Sequence, residues 1–137
     1  MPPIRRRGYD QAMDARIIRT RDLPEHDTRE RCFITEWLNM AEDPQLSIAR
    51  ARVEPGVTTE WHRLRAAAER YVILEGTGTV EVGGLTPEVV SPGDVVVIPP
   101  GVRQRMTNSG SQPLVFLAIC TPRFIPEDYE IAEDCLT

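Results

Sequence analysis

No apolar run in this 137-residue chain approaches the eighteen or so residues needed to cross a membrane. The opening Met1-Pro2-Pro3-Ile4 runs into charge where a secretory signal would continue apolar. Both absences lead to the expectation of a cytoplasmic protein. Cysteine is scarce: Cys32, Cys120 and Cys135 are odd in number and form no Cys-x2-Cys clamp, so free thiols in a reducing compartment are expected. Cys120 ends the apolar run Leu114 to Cys120 and reads as a buried packing residue. A basic excess is missing as well, since the formal net charge is −5. That balance argues against nucleic acid as a partner, and Arg5-Arg6-Arg7 reads as a solvated arm. Histidine occurs only at positions 26 and 62. At this length the chain is one domain with one core and no room for a separate substrate domain, so function has to come from a single cavity.

What is present is β structure. Residues 1 to 15 are polar and rich in Pro and Arg, and are expected to be loosely held unless a partner subunit orders them. Short β-type runs follow at Arg16 to Thr20 and Cys32 to Leu38, then a loop with its turn at Asp43-Pro44. From Leu46 onward, strands recur at short intervals: Ser47 to Val53, Thr58 to Leu64, Arg70 to Leu74, Thr79 to Val82, Glu88 to Val90, Val95 to Ile98, Gln104 to Asn108 and Leu114 to Cys120. Pro55-Gly56, Gly83-Gly84 and Pro92-Gly93 supply the turns between them. In Ser47 to Val53 the row Ala49, Ala51, Val53 reads as the core side, which puts Arg50 and Arg52 outward. Beyond Thr121-Pro122, the segment Pro126 to Asp134 starts with proline and acidic residues and fits either a short capping helix or an ordered arm.

Two stretches carry a spaced pattern. Gly56 is followed after five residues by His62-Arg63-Leu64, then by Glu69 and Gly76. Gly93 is followed after five residues by Pro99-Pro100-Gly101, then by Gln104 and Asn108. These spacings resemble the paired signatures of the cupin superfamily, Gly-x5-His-x-His-x(3,4)-Glu-x6-Gly and Gly-x5-Pro-x-Gly-x2-His-x3-Asn, with Leu64 and Gln104 standing where two of the histidines would be. The resemblance covers roughly residues 45 to 121. It implies an all-β cupin double-stranded β-helix, a jelly-roll barrel at 45–121, with an N-terminal strand arm at 1–44 and a short C-terminal capping tail at 122–137. It implies no particular reaction, because the fold hosts many.

The resemblance also brings His62, Glu69 and Gln104 to one point inside the barrel as metal ligands. An imidazole nitrogen, a carboxylate and an amide oxygen suit one divalent transition metal, Mn, Fe, Ni, Co or Zn, and leave positions open for substrate. Among relatives, ureidoglycine aminohydrolases imply that glutamine at the Gln104 position is compatible with metal. Leu64 removes a nitrogen donor. Residues two apart share a strand face, so Thr58, Glu60, His62 and Leu64 are expected to line up, and Glu60 is either a replacement ligand or a solvated or salt-bridged residue. His26 reads as an exposed loop residue. Tyr71, Ile73 and Met106, with Trp37 and Phe116 from neighbouring strands, are expected around the site.

Two functions from different classes follow. One is a metal-assisted cupin acting on a small organic substrate, with Glu60 or Tyr71 moving a proton. The alternative is a non-catalytic cupin that binds a small metabolite beside a degenerate site in which His62, Glu69 and Gln104 hydrogen-bond to one another. The β-prone run Cys32 to Leu38 would expose an edge unless covered, so a homodimer with Trp37 near the contact is expected, or else closure of the strand into its own barrel.

Overall fold

The computed structural model describes residues 13–133. Arg5-Arg6-Arg7 and Cys135 therefore lie outside the described residues. The chain builds two antiparallel sheets. The larger is formed by β1 (His26–Asp27), β2 (Phe33–Leu38), β3 (Ser47–Val53), β10 (Leu114–Thr121), β5 (Ala68–Glu75) and β8 (Val95–Ile98), in that order. The smaller has the order β11 (Tyr129–Ile131), β4 (His62–Leu64), β9 (Gln104–Asn108), β6 (Gly78–Val82) and β7 (Glu88–Val90). This is the double-stranded jelly roll that the spaced pattern implies, and both flanks join it: β2 pairs with β3, and β11 pairs with β4.

Period-two alternation decides which side chains enter. On β5, Glu69, Tyr71 and Ile73 are buried, while on β8 Val96 and Ile98 are buried and Val95 and Val97 stay exposed. Ala51 and Val53 of β3 are buried as expected. Arg52 on its outer face makes a 2.7 Å ion pair to Glu25, and Arg50 reaches the same carboxylate at 3.4 Å. The arginine row thus serves the outside of the sheet. Ile73, Met106, Leu114 and Val53 are among the largest fully buried side chains, each contributing about 1.5–3 kcal/mol on removal from water.

Two signature residues turn out to be structural. Gly76 has φ +82°, and a Cβ there would lie 2.5 Å from the carbonyl oxygen of Pro113, so the β5–β6 turn admits only glycine. Asn108 is buried, its Nδ2 donating to the carbonyls of Val53 (2.9 Å) and Gln112 (2.8 Å) while its Oδ1 accepts from the N–H of Gly110 (2.9 Å). It ties the end of β3 to the loop between β9 and β10.

Four local expectations are corrected. Residues 16–19 form no strand, and Thr20–Asp22 is a 3-10 turn; Ile17 is 76% exposed, so the run has no sheet to join. The expected strand from Thr58 shrinks to His62–Leu64, preceded by one isolated bridge between Thr58 and Thr107. Thr59, not Glu60, is the buried residue there, because its hydroxyl accepts the Met106 N–H at 2.9 Å and its own N–H donates to the Met106 carbonyl at 2.8 Å. Of the two forms expected for the tail, the structure shows the ordered arm: a 3-10 turn at Pro126–Asp128 leads into β11, whose backbone is recruited by β4. Trp37 lies away from the barrel interior and lines an outer groove with Thr20, Leu23 and Glu25.

Candidate functional site

Four side chains meet where the two sheets face each other. His62 of β4 and Gln104 of β9 are directly paired in the smaller sheet. Glu69 and Tyr71 come from β5 of the larger one. The chain reaches Glu69 from His62 through the bend at residues 65–67, and that bend is held from outside. The buried Asp128 carboxylate accepts the N–H of Ala66 at 2.7 Å and of Ala67 at 3.0 Å. The distance between β4 and β5, and so between His62 and Glu69, is therefore set by the C-terminal tail.

The contacts form one connected chain. The Tyr71 hydroxyl donates to Gln104 Oε1, and Gln104 Nε2 donates to Glu69 Oε1. The Cys120 thiol lies 3.5 Å from the other oxygen, Glu69 Oε2. Burial and then the nearby Glu69 charge push the Tyr71 phenol well above its usual range, so it is a hydrogen-bond donor at neutral pH. Burial, reinforced by Glu69, likewise pushes the Cys120 thiol up and keeps it protonated.

His62 is oriented from behind. Its Nδ1 lies 2.9 Å from the Glu60 carbonyl oxygen, a bond in which the ring nitrogen must be the donor. In the neutral ring this bond leaves the lone pair on Nε2, which faces Glu69 Oε1 at 4.0 Å, beyond hydrogen-bonding distance. The imidazole is also stacked on Tyr129 of β11, with centroids 4.8 Å apart and planes at 15°. The Tyr129 hydroxyl donates to Glu60 Oε1 at 2.7 Å, and Arg29 approaches the same oxygen at 3.8 Å. The Glu60 carboxylate is thus turned to Tyr129 and Arg29, and it is the Glu60 carbonyl that serves His62. Burial and the bond to Glu60 together push the Tyr129 phenol up, which keeps this donor protonated.

One group stands outside every pattern read from the sequence. Glu30, on the turn before β2, places Oε2 3.9 Å from His62 Nδ1. Its position is fixed over thirty residues of sequence by the Glu60 N–H, which donates to the Glu30 carbonyl at 3.1 Å. Burial lifts the Glu30 carboxyl above its ordinary range, with the Glu69 and Glu60 charges adding to the rise and His62 opposing it.

A cavity of about 720 Å³ opens beside this cluster. Its wall includes Glu30, His62, Glu69 and Tyr71, with Phe116 tilted against Tyr71 at 4.5 Å between ring centroids. Ala49, Ala51 and Ala118 line the larger sheet, and their short side chains leave the space open. His26 is exposed and sits at the same wall. The size matches pockets that take small organic ligands.

The donor chemistry fits a divalent cation through His62 Nε2, a ring nitrogen turned toward a carboxylate by a carbonyl behind the ring, which is the arrangement that prepares histidine ligands. Glu69 supplies the anionic oxygen. Gln104 completes the trio only through its amide oxygen, which is engaged with Tyr71. Among the described residues, no group of three or more His, Cys, Asp and Glu side chains is placed to hold an ion, so the amide is required. Leu64, at the place of the missing nitrogen donor, is buried in a small apolar cluster with Ala67 and Cys120.

Residues 49–120 match the family described as the cupin domain. An uncharacterized protein of Methanocaldococcus jannaschii is 33% identical over 122 residues, covering 86% of this chain and 97% of that protein. Among solved structures, a Klebsiella pneumoniae protein with a double-stranded β-helix domain superposes with a TM-score of 0.71 at 16% identity, covering 88% of this chain and 100% of the other. A predicted oxalate decarboxylase of Thermotoga maritima also gives 0.71, at 21% identity, with 78% of this chain and 99% of that one covered. Both structural likenesses bear on the fold alone.

Proposed function

Because this chain belongs to the cupin family, we propose that its barrel holds one divalent transition metal at His62, Glu69 and Gln104 and takes a small organic molecule into the adjoining cavity. The observation that carries this reading is the His62 ring, held from behind through Nδ1 on the Glu60 carbonyl, with Nε2 presented to Glu69 across 4.0 Å. Amide oxygen and nitrogen have nearly the same shape, so a half-turn of Gln104 exchanges them. The oxygen then turns toward Glu69 and the –NH2 toward the Tyr71 hydroxyl. A bound divalent cation would supply Lewis-acid polarisation of a ligand oxygen.

The chain's own residues do the rest. His62 and Glu69 bind, Tyr71 donates a hydrogen bond from the cavity wall, and Glu60 acts as a positioning residue through its carbonyl on His62 and its carboxylate on Tyr129. The test is a titration of metal-free protein with Mn(II) or Zn(II) followed by thermal unfolding. Binding to the native state alone should raise the unfolding temperature with concentration, by about 2.7 kcal/mol of stability at one hundred times Kd. A flat response would refute the metal part of the reading.

A second reading is favoured by one observation: the chain from Tyr71 through Gln104 to Glu69 is complete in itself. A metal-free barrel that binds a metabolite without turnover would use this network as it stands. A flat metal titration together with ligand binding in the cavity would select it.

Cys32 and Cys120 are free thiols, a state preserved in a reducing compartment, and we place the protein in the cytoplasm. Assembly follows from the sheet edge. β1 covers only Phe33 and Ile34 of β2, which leaves the edge of Thr35–Leu38 facing away from β3 without a strand among the described residues. Such an edge pairs with another chain unless it is blocked, so we propose a two-fold homodimer joined along β2. Sedimentation at micromolar concentration should give twice the 15.5 kDa chain mass. A species at the single-chain mass would overturn the dimer.

A further inference from the structure

We propose that the cavity selects a small organic cation, an amine or amidinium on a short apolar body, with Glu30 as its counter-ion. This inference rests on the reading of the cavity as the ligand site, and it adds the chemical class of the ligand.

Glu30 belongs to none of the interactions that build the fold's signature, and it precedes residues 49–120, the stretch matched by the family. It is nevertheless held firmly. The turn that carries it is closed by the Thr28 hydroxyl on the Cys32 carbonyl at 2.6 Å and by the Arg31 N–H on the Thr28 carbonyl at 3.1 Å. Arg31 Nε then anchors the turn to the Thr58 carbonyl at 2.7 Å. The Glu30 side chain is 20% exposed and forms part of the cavity wall.

What surrounds its carboxylate is anionic or neutral. Glu69 and Glu60 stand nearby and oppose its charge, the Cys32 thiol beside it is a neutral donor, and His62 Nδ1, 3.9 Å away, is already committed to the Glu60 carbonyl. The chain contains no lysine. The outer-face arginines are turned to Glu25, and Arg29, the one arginine of the cavity wall, has a side chain 68% exposed and directed at Glu60. A carboxylate withdrawn from water without a cation is costly unless something supplies one. His62, with a side chain only 6% exposed, presents Nε2 to Glu69 Oε1 at 4.0 Å, beyond hydrogen-bonding distance, and the Glu30 and Glu69 carboxylates make this wall one that suits a donor or a cation. Tyr71, Phe116 and Tyr129 add the faces of aromatic rings, which attract a cation and cover an apolar body. A metal ion at His62, Glu69 and Gln104 would answer the charge of Glu69 and leave that of Glu30. A small dianion, by contrast, would face the carboxylates of Glu30 and Glu69 in the same wall.

The test uses three probes of one shape: benzylamine, benzyl alcohol and benzoate. Each is titrated calorimetrically into the full-length protein, once after chelation and once with Mn(II) added. Benzylamine should bind at least tenfold more tightly than benzyl alcohol, and benzoate more weakly than either, in both preparations. Glu30→Gln should cancel the preference for the amine and leave the affinity for the alcohol unchanged. Equal binding of amine and alcohol to the wild-type protein would overturn the inference without recourse to any variant, and so would a Glu30→Gln protein that keeps the preference. If none of the three binds, the cavity is not a ligand site and the proposed function falls with the inference. If the alcohol binds as well as the amine, the cavity stands and only the role of Glu30 is lost.

Discussion

Alanine in place of His62 should lower divalent-cation affinity by about two orders of magnitude or more, because it removes the single nitrogen donor of the set and leaves a carboxylate and an amide. Calorimetric titration of metal-free wild type and of His62→Ala with the same ion measures the difference. Histidine at position 64 should act in the opposite direction by restoring the second nitrogen. Leu64 is buried against Ala67 and Cys120, so Leu64→His also brings a polar ring into an apolar cluster. The variant is therefore expected to unfold at a lower temperature than wild type when metal-free and to regain stability on adding metal. Equal affinities in wild type and His62→Ala would show that the cation, if bound, is held elsewhere.

Removing the Asp128 carboxylate should give the largest loss of stability among the polar substitutions near the site. Two N–H groups, those of Ala66 and Ala67, depend on it. Leaving buried donors unsatisfied costs about 1–3 kcal/mol each, so Asp128→Ala should cost roughly 2–4 kcal/mol and lower the unfolding temperature by about 5–15 °C. Asp128→Asn keeps one acceptor and should lose about half as much. The bend joining β4 to β5 also places His62 opposite Glu69, and Tyr129 follows Asp128 directly, so cation affinity should fall along with stability. Thermal unfolding by circular dichroism reads the first effect. An Asp128→Ala protein as stable as wild type would mean that the tail does not hold the bend.

The barrel was legible because its information is local. Pro-Gly turns punctuate β-branched runs, and the edges of Ser47–Val53, Glu88–Val90, Val95–Ile98 and Gln104–Asn108 are those expected from alternation and turn residues. The meeting of His62, Glu69 and Gln104 was legible only through the resemblance to the cupin signatures. What escaped is long-range. Nothing near Glu30 in sequence indicates that the Glu60 N–H will fix it beside His62, and nothing in Tyr129-Glu130-Ile131 indicates that β4 lacks a neighbour for it to pair with. Glu60 was misplaced onto the inward face because strict alternation was carried through a segment that is not a strand. Thr59 makes reciprocal bonds with Met106, and the two residues after it pass without sheet pairing before His62 resumes the inward side. Arg16 to Thr20 has β-type side chains, but strand formation depends on a partner edge, which a single segment cannot reveal.

The metal content of the protein itself is the most direct test of the proposed centre. Wild type and His62→Ala, both purified without an affinity tag, would be saturated with Mn(II) or Zn(II), freed of excess ion by desalting and subjected to elemental analysis. The expected result is close to one equivalent per chain in the wild type and a small fraction of that in the variant. A wild-type value below about a tenth of an equivalent after saturation would contradict a metal-holding site at His62, Glu69 and Gln104.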